Sequence, residues 1–231
     1  MFRKTAAMLI IVSLVLAANL EAQSKFEIGV FSGLRFGGSF VNAGYRNNTI
    51  LEELDVASGL QFGGSFYYAM GTPYPEERAL MFQLLINYQN SDLRFKPASI
   101  SGVPDSILSI YEVDGDKLIL GEVNVTYIHG GILYELGSDS DWIPHVNFGL
   151  GATIFSADDG DLKKSKFSFS FGGGMTRQFT TAIGGRFQIT GYMTPLPSDV
   201  YWIDDNGGNF RSAEGIFFFQ GEISGGLVFA F

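Results

Sequence analysis

The sequence predicts an all-β protein, an eight-stranded antiparallel up-and-down transmembrane β-barrel. Three observations lead to this fold class. Apolar side chains alternate with small or polar ones over long stretches, the connections between these stretches are long and short in turn, and the chain of 231 residues contains 30 Gly and 22 Phe. A tilted strand needs about 9–11 residues to cross a bilayer, whereas strands in globular proteins usually have about 5–6. The alternating stretches have the longer, transmembrane length.

Residues 1–22 have the composition of a secretory signal peptide. Arg3 and Lys4 precede an apolar stretch over 6–18, and small and polar residues follow around Ala22. The apolar stretch is shorter than the roughly 20 residues of a membrane-spanning helix. The predicted organisation is therefore a cleaved signal peptide, 1–22, followed by one barrel domain, 23–231.

The first predicted strand, 26–40, shows the alternation most clearly. Its even positions are mostly large and apolar, from Phe26 to Phe40, while its odd positions combine glycines with Glu27 and Arg35. Successive side chains of a strand point to opposite faces of the sheet. One face of this strand is therefore apolar, and the other is small or polar.

The next three strands are predicted at 55–70, 79–89 and 117–135. Each has an apolar face and a polar face in the same way. The apolar face of the second includes Val56, and that of the fourth includes Val123, Val125 and Tyr127. Glu122 then belongs to the polar face of the fourth strand, and a bulge is expected at its "HGG" segment, residues 129–131.

The last four strands are predicted at 142–155, 167–179, 183–194 and 215–231. The sixth opposes Phe167, Phe169 and Phe171 to serines and a glycine. The eighth ends on Leu227, Phe229 and Phe231, which alternate with small residues and Val228. These three residues are predicted to face lipid on the strand that closes the barrel, because closure removes both sheet edges.

The apolar faces are predicted to point outward into lipid and the polar faces into the lumen. Eight strands enclose only enough room for side chains. A soluble barrel of the lipocalin type has the opposite polarity, with an apolar interior. A two-sheet periplasmic sandwich would also alternate, but it would bury Glu and Arg side chains that are harder to explain there.

The connections give independent support for a membrane barrel. Segments 41–54, 90–116, 156–166 and 195–214 are long and polar, and they alternate with the shorter segments 71–78, 136–141 and 180–182. Long loops on one side and short turns on the other are typical of bacterial outer-membrane barrels. Both termini are then expected to lie in the periplasm.

A charged network is predicted to fill the lumen. Arg35 and Glu222 lie on the inward faces of the first and eighth strands, which adjoin on closure, and at similar heights in the wall. Glu122 and Arg186 are expected to extend this network, and Glu27 to lie nearer the periplasmic rim. Such pairs would block a water-filled path through a barrel of this width.

No catalytic residue, cofactor or dedicated metal site is predicted. The chain lacks Cys, and only His129 and His145 could act as imidazole bases. Acidic stretches occur at 113–117, 156–164 and 203–209. They are interpreted as solvated loop charge because the spacing of an EF-hand is absent, although a weak divalent site there stays open. The net charge of −9 argues against a nucleic-acid partner.

Three segments resemble a known family. "GGGMTRQFTTAIGGRFQITGYMTP" (172–195) and "FQGEISGGLVFAF" (219–231) resemble the last strands of the outer-membrane barrels that include OmpX-like, opacity-type and OmpA-type proteins, and "WIPHVNFGLGATIF" (142–155) is similar to the preceding strand. The resemblance implies insertion by the barrel-assembly machinery, for which Phe231, in one row with Phe229 and Leu227, would be part of the signal. Because the sequence stops at Phe231, the periplasmic peptidoglycan-binding domain of full OmpA-type proteins is expected to be missing.

The function that follows is a non-enzymatic, monomeric protein of the Gram-negative cell outer membrane. It is expected to contact outer-membrane lipids and lipopolysaccharide, to have a structural role in the envelope, and to offer a loop surface to an unidentified extracellular ligand. Tyr201, Trp202 and Phe210 in the last long loop, with Tyr45 in the first, are either aromatic girdle anchors or part of that surface.

Two other functions stay open. One is a narrow porin-like channel for small or hydrophobic solutes, in the manner of OmpW-type barrels. The other is a lipid A-modifying enzyme, since some barrels of this size are deacylases with a His-x-Ser pair. "HGG" at His129 and "HVN" at His145 do not place a Ser two residues on, which disfavours this chemistry because the Ser hydroxyl needs an adjacent base.

Overall fold

The computed structural model describes residues 26–46, 49–70, 80–97, 109–137, 141–157, 163–196, 201–203, 209–211 and 216–231. In these ranges the chain forms strands β1 (Phe26–Gly37), β2 (Ser39–Arg46), β3 (Thr49–Val56), β4 (Gly59–Ala69), β5 (Leu80–Pro97), β6 (Glu112–Asp114), β7 (Lys117–Glu135), β8 (Trp142–Ala157), β9 (Lys163–Gln178), β10 (Ile183–Leu196), β11 (Tyr201–Ile203), β12 (Asn209–Arg211) and β13 (Ile216–Ala230). Within the described ranges, no helix has the length and apolar character needed to span a membrane.

Eight strands form a closed antiparallel wall in the order β1, β4, β5, β7, β8, β9, β10 and β13, and β13 pairs again with β1. The predicted fold class is therefore confirmed. Strand β2 continues β1 beyond a kink, and β3 leads into β4 in the same way. Strand β6 pairs with the first three residues of β7, while β11 and β12 form a separate hairpin.

Some of the observed strands are longer than predicted, and others are shorter or interrupted. The kink after β1 occurs at Gly37 and Gly38, whose φ angles of 78° and 114° are readily adopted only by glycine. Strand β5 continues to Pro97 instead of ending at 89, so the predicted long connection 90–116 contains the end of β5 and all of β6. The wall thus extends beyond the residues needed to cross a bilayer.

The stagger of the strands fixes their tilt. A row of directly paired residues that starts at Phe26 of β1 passes once around the wall from strand to strand. It reaches β1 again at Phe36, ten residues further along the chain. A stagger of this size in eight strands corresponds to a tilt of roughly 40°. The residues of this continuous row all face outward: Phe26, Tyr68, Phe82, Ile132, Phe148, Phe171, Gly191, Gly221 and Phe36.

Over the height of this row the barrel is apolar outside and polar inside. Large apolar side chains such as Leu60, Phe62 and Phe167 are more than half exposed on the exterior, whereas Gln61, Gln83 and Thr190 are buried in the lumen. Ten residues at this tilt span about 25 Å, the height of the apolar band of a transmembrane barrel. The predicted outward orientation of the apolar faces is confirmed for this part of the wall.

Beyond this band the polarity reverses at the end of the barrel that carries the long connections, here called the loop end. Asn90, Asn124, Ser156 and Lys163 form one paired row on the outer face of β5, β7, β8 and β9. The interior at this height is an apolar plug. It comprises Leu54, Val56, Val123, Val125, Phe155, Leu196 and Phe218, all buried.

The predicted orientation of Val56, Val123, Val125 and Tyr127 was therefore wrong, because all four side chains point inward. The fourth predicted strand, β7, crosses the boundary between lipid and water. Its outward residues are apolar at Ile128 and Ile132 but polar from Thr126 to Glu122. The bulge lies instead at Leu120, which has no partner between the pairs Leu93–Gly121 and Arg94–Ile119, and the pairing is regular through 129–131.

Candidate functional site

The centre of the lumen contains the ion pair between Arg35 and Glu222. The two residues are directly paired between β1 and β13. Arg35 Nη2 lies 2.8 Å from Glu222 Oε2, and both side chains are fully buried. The sequence predicted contact between these two residues. They meet because both side chains point into the lumen and because β1 pairs with β13.

Tyrosine and asparagine side chains from other strands complete this centre. Asn87 Nδ2 donates to Glu222 Oε2 at 3.1 Å and to the Tyr192 hydroxyl at 2.7 Å. The Tyr127 and Tyr192 rings stack with centroids 4.2 Å apart. The Arg35 guanidinium carbon lies 4.8 Å and 5.1 Å from those two ring centroids. Hydrogen bonds and cation–π contacts thus span the lumen from β1 and β13 to β5, β7 and β10.

The network continues toward the loop end and then gives way to the apolar plug. The Tyr127 hydroxyl donates to Gln220 Oε1 at 2.9 Å, and the Thr153 and Thr194 hydroxyls are 2.7 Å apart. Beyond them the Phe155 and Phe218 rings meet edge to face with centroids 5.1 Å apart. A buried polar layer and a buried apolar layer therefore follow each other along the lumen.

A second ion pair lies closer to the end with the short connections, here called the turn end. Arg186 Nη2 is 2.9 Å from Glu27 Oε2, and Arg186 Nε donates to Thr176 Oγ1 at 2.8 Å. The Arg186 guanidinium carbon lies 4.3 Å from the centroid of the Tyr67 ring. Arg186 is thus the partner of Glu27, in a pair separate from Arg35 and Glu222.

The expectation that Glu122 joins the lumen network was wrong. Glu122 lies on the outer face of β7, where it is exposed and accepts a hydrogen bond of 3.1 Å from Asn90 Nδ2. Asn90 also donates to Asn124, which in turn accepts a hydrogen bond from the Tyr88 hydroxyl. Glu122 lies outside because the even-numbered residues of β7 from 122 to 134 point to the outer face of the wall.

Several charged groups of the outer wall at the loop end form ion pairs with each other. Asp55 lies 2.9 Å from Arg94 and 3.1 Å from Lys117. Lys96 Nζ lies 2.9 Å from the Asp116 carboxylate, and the hydrogen bond it donates holds the pKa of this exposed carboxyl below its ordinary value. Arg94 Nη1 also lies 3.6 Å from Asp114 Oδ2, so both carboxylates of the acidic stretch 113–117 are engaged by basic side chains. The other two acidic stretches fall partly outside the described residues.

A histidine–serine contact occurs in the lumen that the sequence did not predict. His129 Nε2 lies 2.7 Å from Ser168 Oγ. The two side chains meet across β8 because the residue paired with both of them is Gly151, which has no side chain. His129 Nδ1 has no hydrogen-bond partner among the described residues, and neither ring nitrogen of His145 has one. Because they come from different strands, no local motif could have indicated this pair.

The residues of the predicted assembly signal lie along the closing seam. Leu227 is exposed on the outer face, and Phe229 and Phe231 are half-buried. The Phe231 amide donates to the Phe26 carbonyl at 2.9 Å, where β13 meets the start of β1. Recognition of Phe231 by the barrel-assembly machinery stays a prediction.

The predicted loop aromatics lie in short strands whose side chains fall outside the described residues. Tyr201 pairs with Arg211, and Trp202 pairs with Phe210, in the hairpin of β11 and β12. Tyr45 lies in β2. Their proposed roles, as girdle anchors or as a contact surface, stay predictions.

Known proteins resemble this chain in structure but not detectably in sequence. No protein-family model and no curated protein matches it. Neisserial surface protein A superposes with a TM-score of 0.54 at 14% identity, over 91% of this chain and 100% of that one. The outer membrane protein AlkL superposes with a TM-score of 0.51 at 15% identity, over 92% of this chain and 93% of that one.

These similarities agree with the geometry of the wall. The closed wall, the apolar exterior and the polar lumen define an eight-stranded transmembrane β-barrel with the fold of bacterial outer-membrane proteins. The cell outer membrane is accordingly the location of the protein.

Proposed function

We propose that this protein is a non-enzymatic, non-conducting barrel that anchors surface segments in the outer membrane. The observation that carries the proposal is the fully buried ion pair of Arg35 and Glu222, held in a network that reaches across the lumen. An open pore would leave charged lumen groups hydrated, whereas these two side chains have no exposed surface. The apolar plug adds a second, water-excluding barrier toward the loop end.

The absence of enzymatic activity is supported by the environment of the histidines. Ser168 and His129 are almost fully buried in the lumen, so a substrate could not reach the hydroxyl. Activation of a serine also requires that the base be oriented by a third group. No described side chain hydrogen-bonds to His129 Nδ1. The His129–Ser168 contact is therefore interpreted as part of the lumen packing.

A closed lumen leaves the outer wall and the connections at the loop end as the surfaces through which the protein can act. The outer wall there is polar, with paired charges at Asp55, Arg94 and Lys117. We assign the envelope-structural role to the lipid-facing wall. Interaction with lipopolysaccharide and with an extracellular ligand is assigned to the segments beyond it.

Planar-bilayer recording on the refolded protein tests the closed lumen. We expect no stable conductance in membranes where a large porin, inserted as a control, gives clear steps. A sustained conductance of the unmutated protein would contradict the proposal and favour the narrow channel for small or hydrophobic solutes.

A further inference from the structure

A row of four polar residues, here called the boundary row, crosses the outer face of the wall just beyond the apolar band. Its members are paired in turn across β5, β7, β8 and β9: Asn90, Asn124, Ser156 and Lys163. Tyr88 and Ile128, two and four positions nearer the turn end on the same face, are exposed members of the apolar band. The boundary row therefore lies at the level of the lipid headgroups.

Hydrogen bonds fix the orientation of the amides at one end of this row. Asn124 Oδ1 accepts a hydrogen bond of 2.9 Å from Asn90 Nδ2 and another from the Tyr88 hydroxyl. Asn90 Nδ2 also donates to Glu122 Oε2 at 3.1 Å. Because both neighbours bond to the oxygen of Asn124, its Nδ2 group points away from them. The N–H groups of Asn124 are thus held ready for an external acceptor.

The other end of the row carries a positive charge. Lys163 is exposed and, unlike Lys96 and Lys117, forms no ion pair with a described residue. Neighbouring strands are about 4.8 Å apart, so the main chain of Lys163 lies about 10 Å from that of Asn124 and about 14 Å from that of Asn90. A ligand that occupies the whole row must therefore offer hydrogen-bonding groups at one end and negative charge at the other.

The carboxylates near the amides decide which way round such a ligand binds. Glu122 is directly paired with Asp92 on the outer face of β7 and β5. Two like charges in this position repel each other and any further anion. The negative group of the ligand is therefore excluded from the Asn124 end and directed to Lys163.

We propose that the boundary row binds the phosphorylated sugar headgroup of lipopolysaccharide in the outer leaflet. Sugar hydroxyls accept hydrogen bonds from Asn124 and donate to Glu122, and a phosphate contacts Lys163. The headgroup of an ordinary phospholipid is too short to reach both ends. The inference rests on the proposed function, which assigns contact with lipopolysaccharide to the loop end, and it adds the residues and the chemical groups that make the contact.

Native mass spectrometry of the refolded barrel in detergent micelles tests the proposal. The probes are rough-type lipopolysaccharide, which has phosphorylated inner sugars without the long polysaccharide, and the same lipid after enzymatic removal of its phosphates. Asn124→Ala is expected to weaken the binding of both probes about fivefold, because hydrogen bonds to the sugar are lost. Lys163→Gln should weaken the binding of the phosphorylated probe about threefold to fivefold and leave the binding of the other probe unchanged.

Lys166→Gln is the matched control. Lys166 lies on the same strand and carries the same charge, but it is paired with the buried Thr153 on the lumen face of the wall. This variant should bind both probes like the unmutated protein. The shift in gel mobility on heating checks that each variant is folded.

Three results would overturn the proposal. Equal losses for Lys163→Gln and Lys166→Gln would show an effect of net charge alone, and unchanged binding by Asn124→Ala and Lys163→Gln would exclude the boundary row. Binding of soluble glucosamine phosphate as tight as that of the lipid would show that the ligand is a free sugar phosphate. If the unmutated protein does not prefer lipopolysaccharide to phospholipid, the assignment of lipopolysaccharide to the loop end fails as well.

Discussion

Arg35 is fully buried, and its charge is compensated by one carboxylate from the strand that closes the wall. Removing one partner of such a pair leaves an isolated charge in a low-dielectric site, whereas removing both does not. The same reasoning does not apply to Arg177, which is exposed and lies 3.8 Å from Asp141. The environment of each arginine, more than its charge, decides the effect of a substitution.

Arg35→Ala is expected to destabilise the barrel by about 3–5 kcal/mol, because Glu222 would be left buried without its partner. The Arg35→Ala and Glu222→Ala double variant should lose clearly less than the sum of the two single losses. Urea unfolding in lipid vesicles, followed by tryptophan fluorescence, measures both quantities. Arg177→Ala should change the stability by less than about 1 kcal/mol, and strictly additive losses at positions 35 and 222 would contradict coupling.

Phe231 contributes a main-chain hydrogen bond and an aromatic ring to the seam. Changing it to Asp, or removing it, is expected to lower the amount of barrel in the outer membrane without affecting export across the inner membrane. Quantitative blots of outer-membrane and periplasmic fractions measure this. Phe231→Tyr keeps the ring and the amide and should behave normally, and unchanged barrel levels for Phe231→Asp would exclude a role in assembly.

At the scale of the strand, the alternation in sequence predicted the eight strands because a wall between lipid and a polar lumen imposes a period of two. It failed for β7, where Val123 and Val125 turn inward once the exterior meets water. An apolar side chain alone does not indicate whether its face of the strand points to lipid or to a water-free part of the lumen. Glu122 was misplaced for the same reason, and Asn87 and Tyr192 were missed as partners of the ion pair because nothing local in the sequence links them.

Close approach of neighbouring strands makes one glycine of β8 hard to replace. A Cβ atom on Gly151 would lie 1.9 Å from the Ile128 carbonyl oxygen and 2.6 Å from His129 Cδ2. Gly151→Ala is therefore expected to cost about 1–3 kcal/mol or more in urea unfolding. Gly225→Ala is the control, since no atom lies within 4 Å of the added Cβ. Equal stabilities of the two variants would contradict the close packing at β8.

At the scale of the molecule, the reversal of polarity marks the level at which the barrel leaves the membrane. The row of Asn90, Asn124, Ser156 and Lys163 lies just beyond the apolar band. Paired charges and the apolar plug follow it, as in a water-soluble protein. The part of the wall at the loop end thus has the polar exterior and apolar interior of a protein surrounded by water.

Single cysteines test this boundary and the orientation, because the chain has no native Cys. Asn124→Cys should react with a membrane-impermeant maleimide on intact cells, since its site lies beyond the apolar band at the predicted extracellular end. Ile128→Cys, four residues away on the same face of β7, should stay unlabelled. Labelling of Asn124→Cys only after the outer membrane is permeabilised would show that the orientation is inverted.

The pairing of β1 with β13 also constrains how the protein can be made. Its central ion pair joins residues 187 positions apart in the chain, and β1 lacks one of its two neighbours until β13 has been synthesised. Contacts between such distant residues form slowly, because the entropy of a large loop is lost before they contribute. The wall therefore cannot close before β13 has been synthesised, and β1 has to wait for its second neighbour until then.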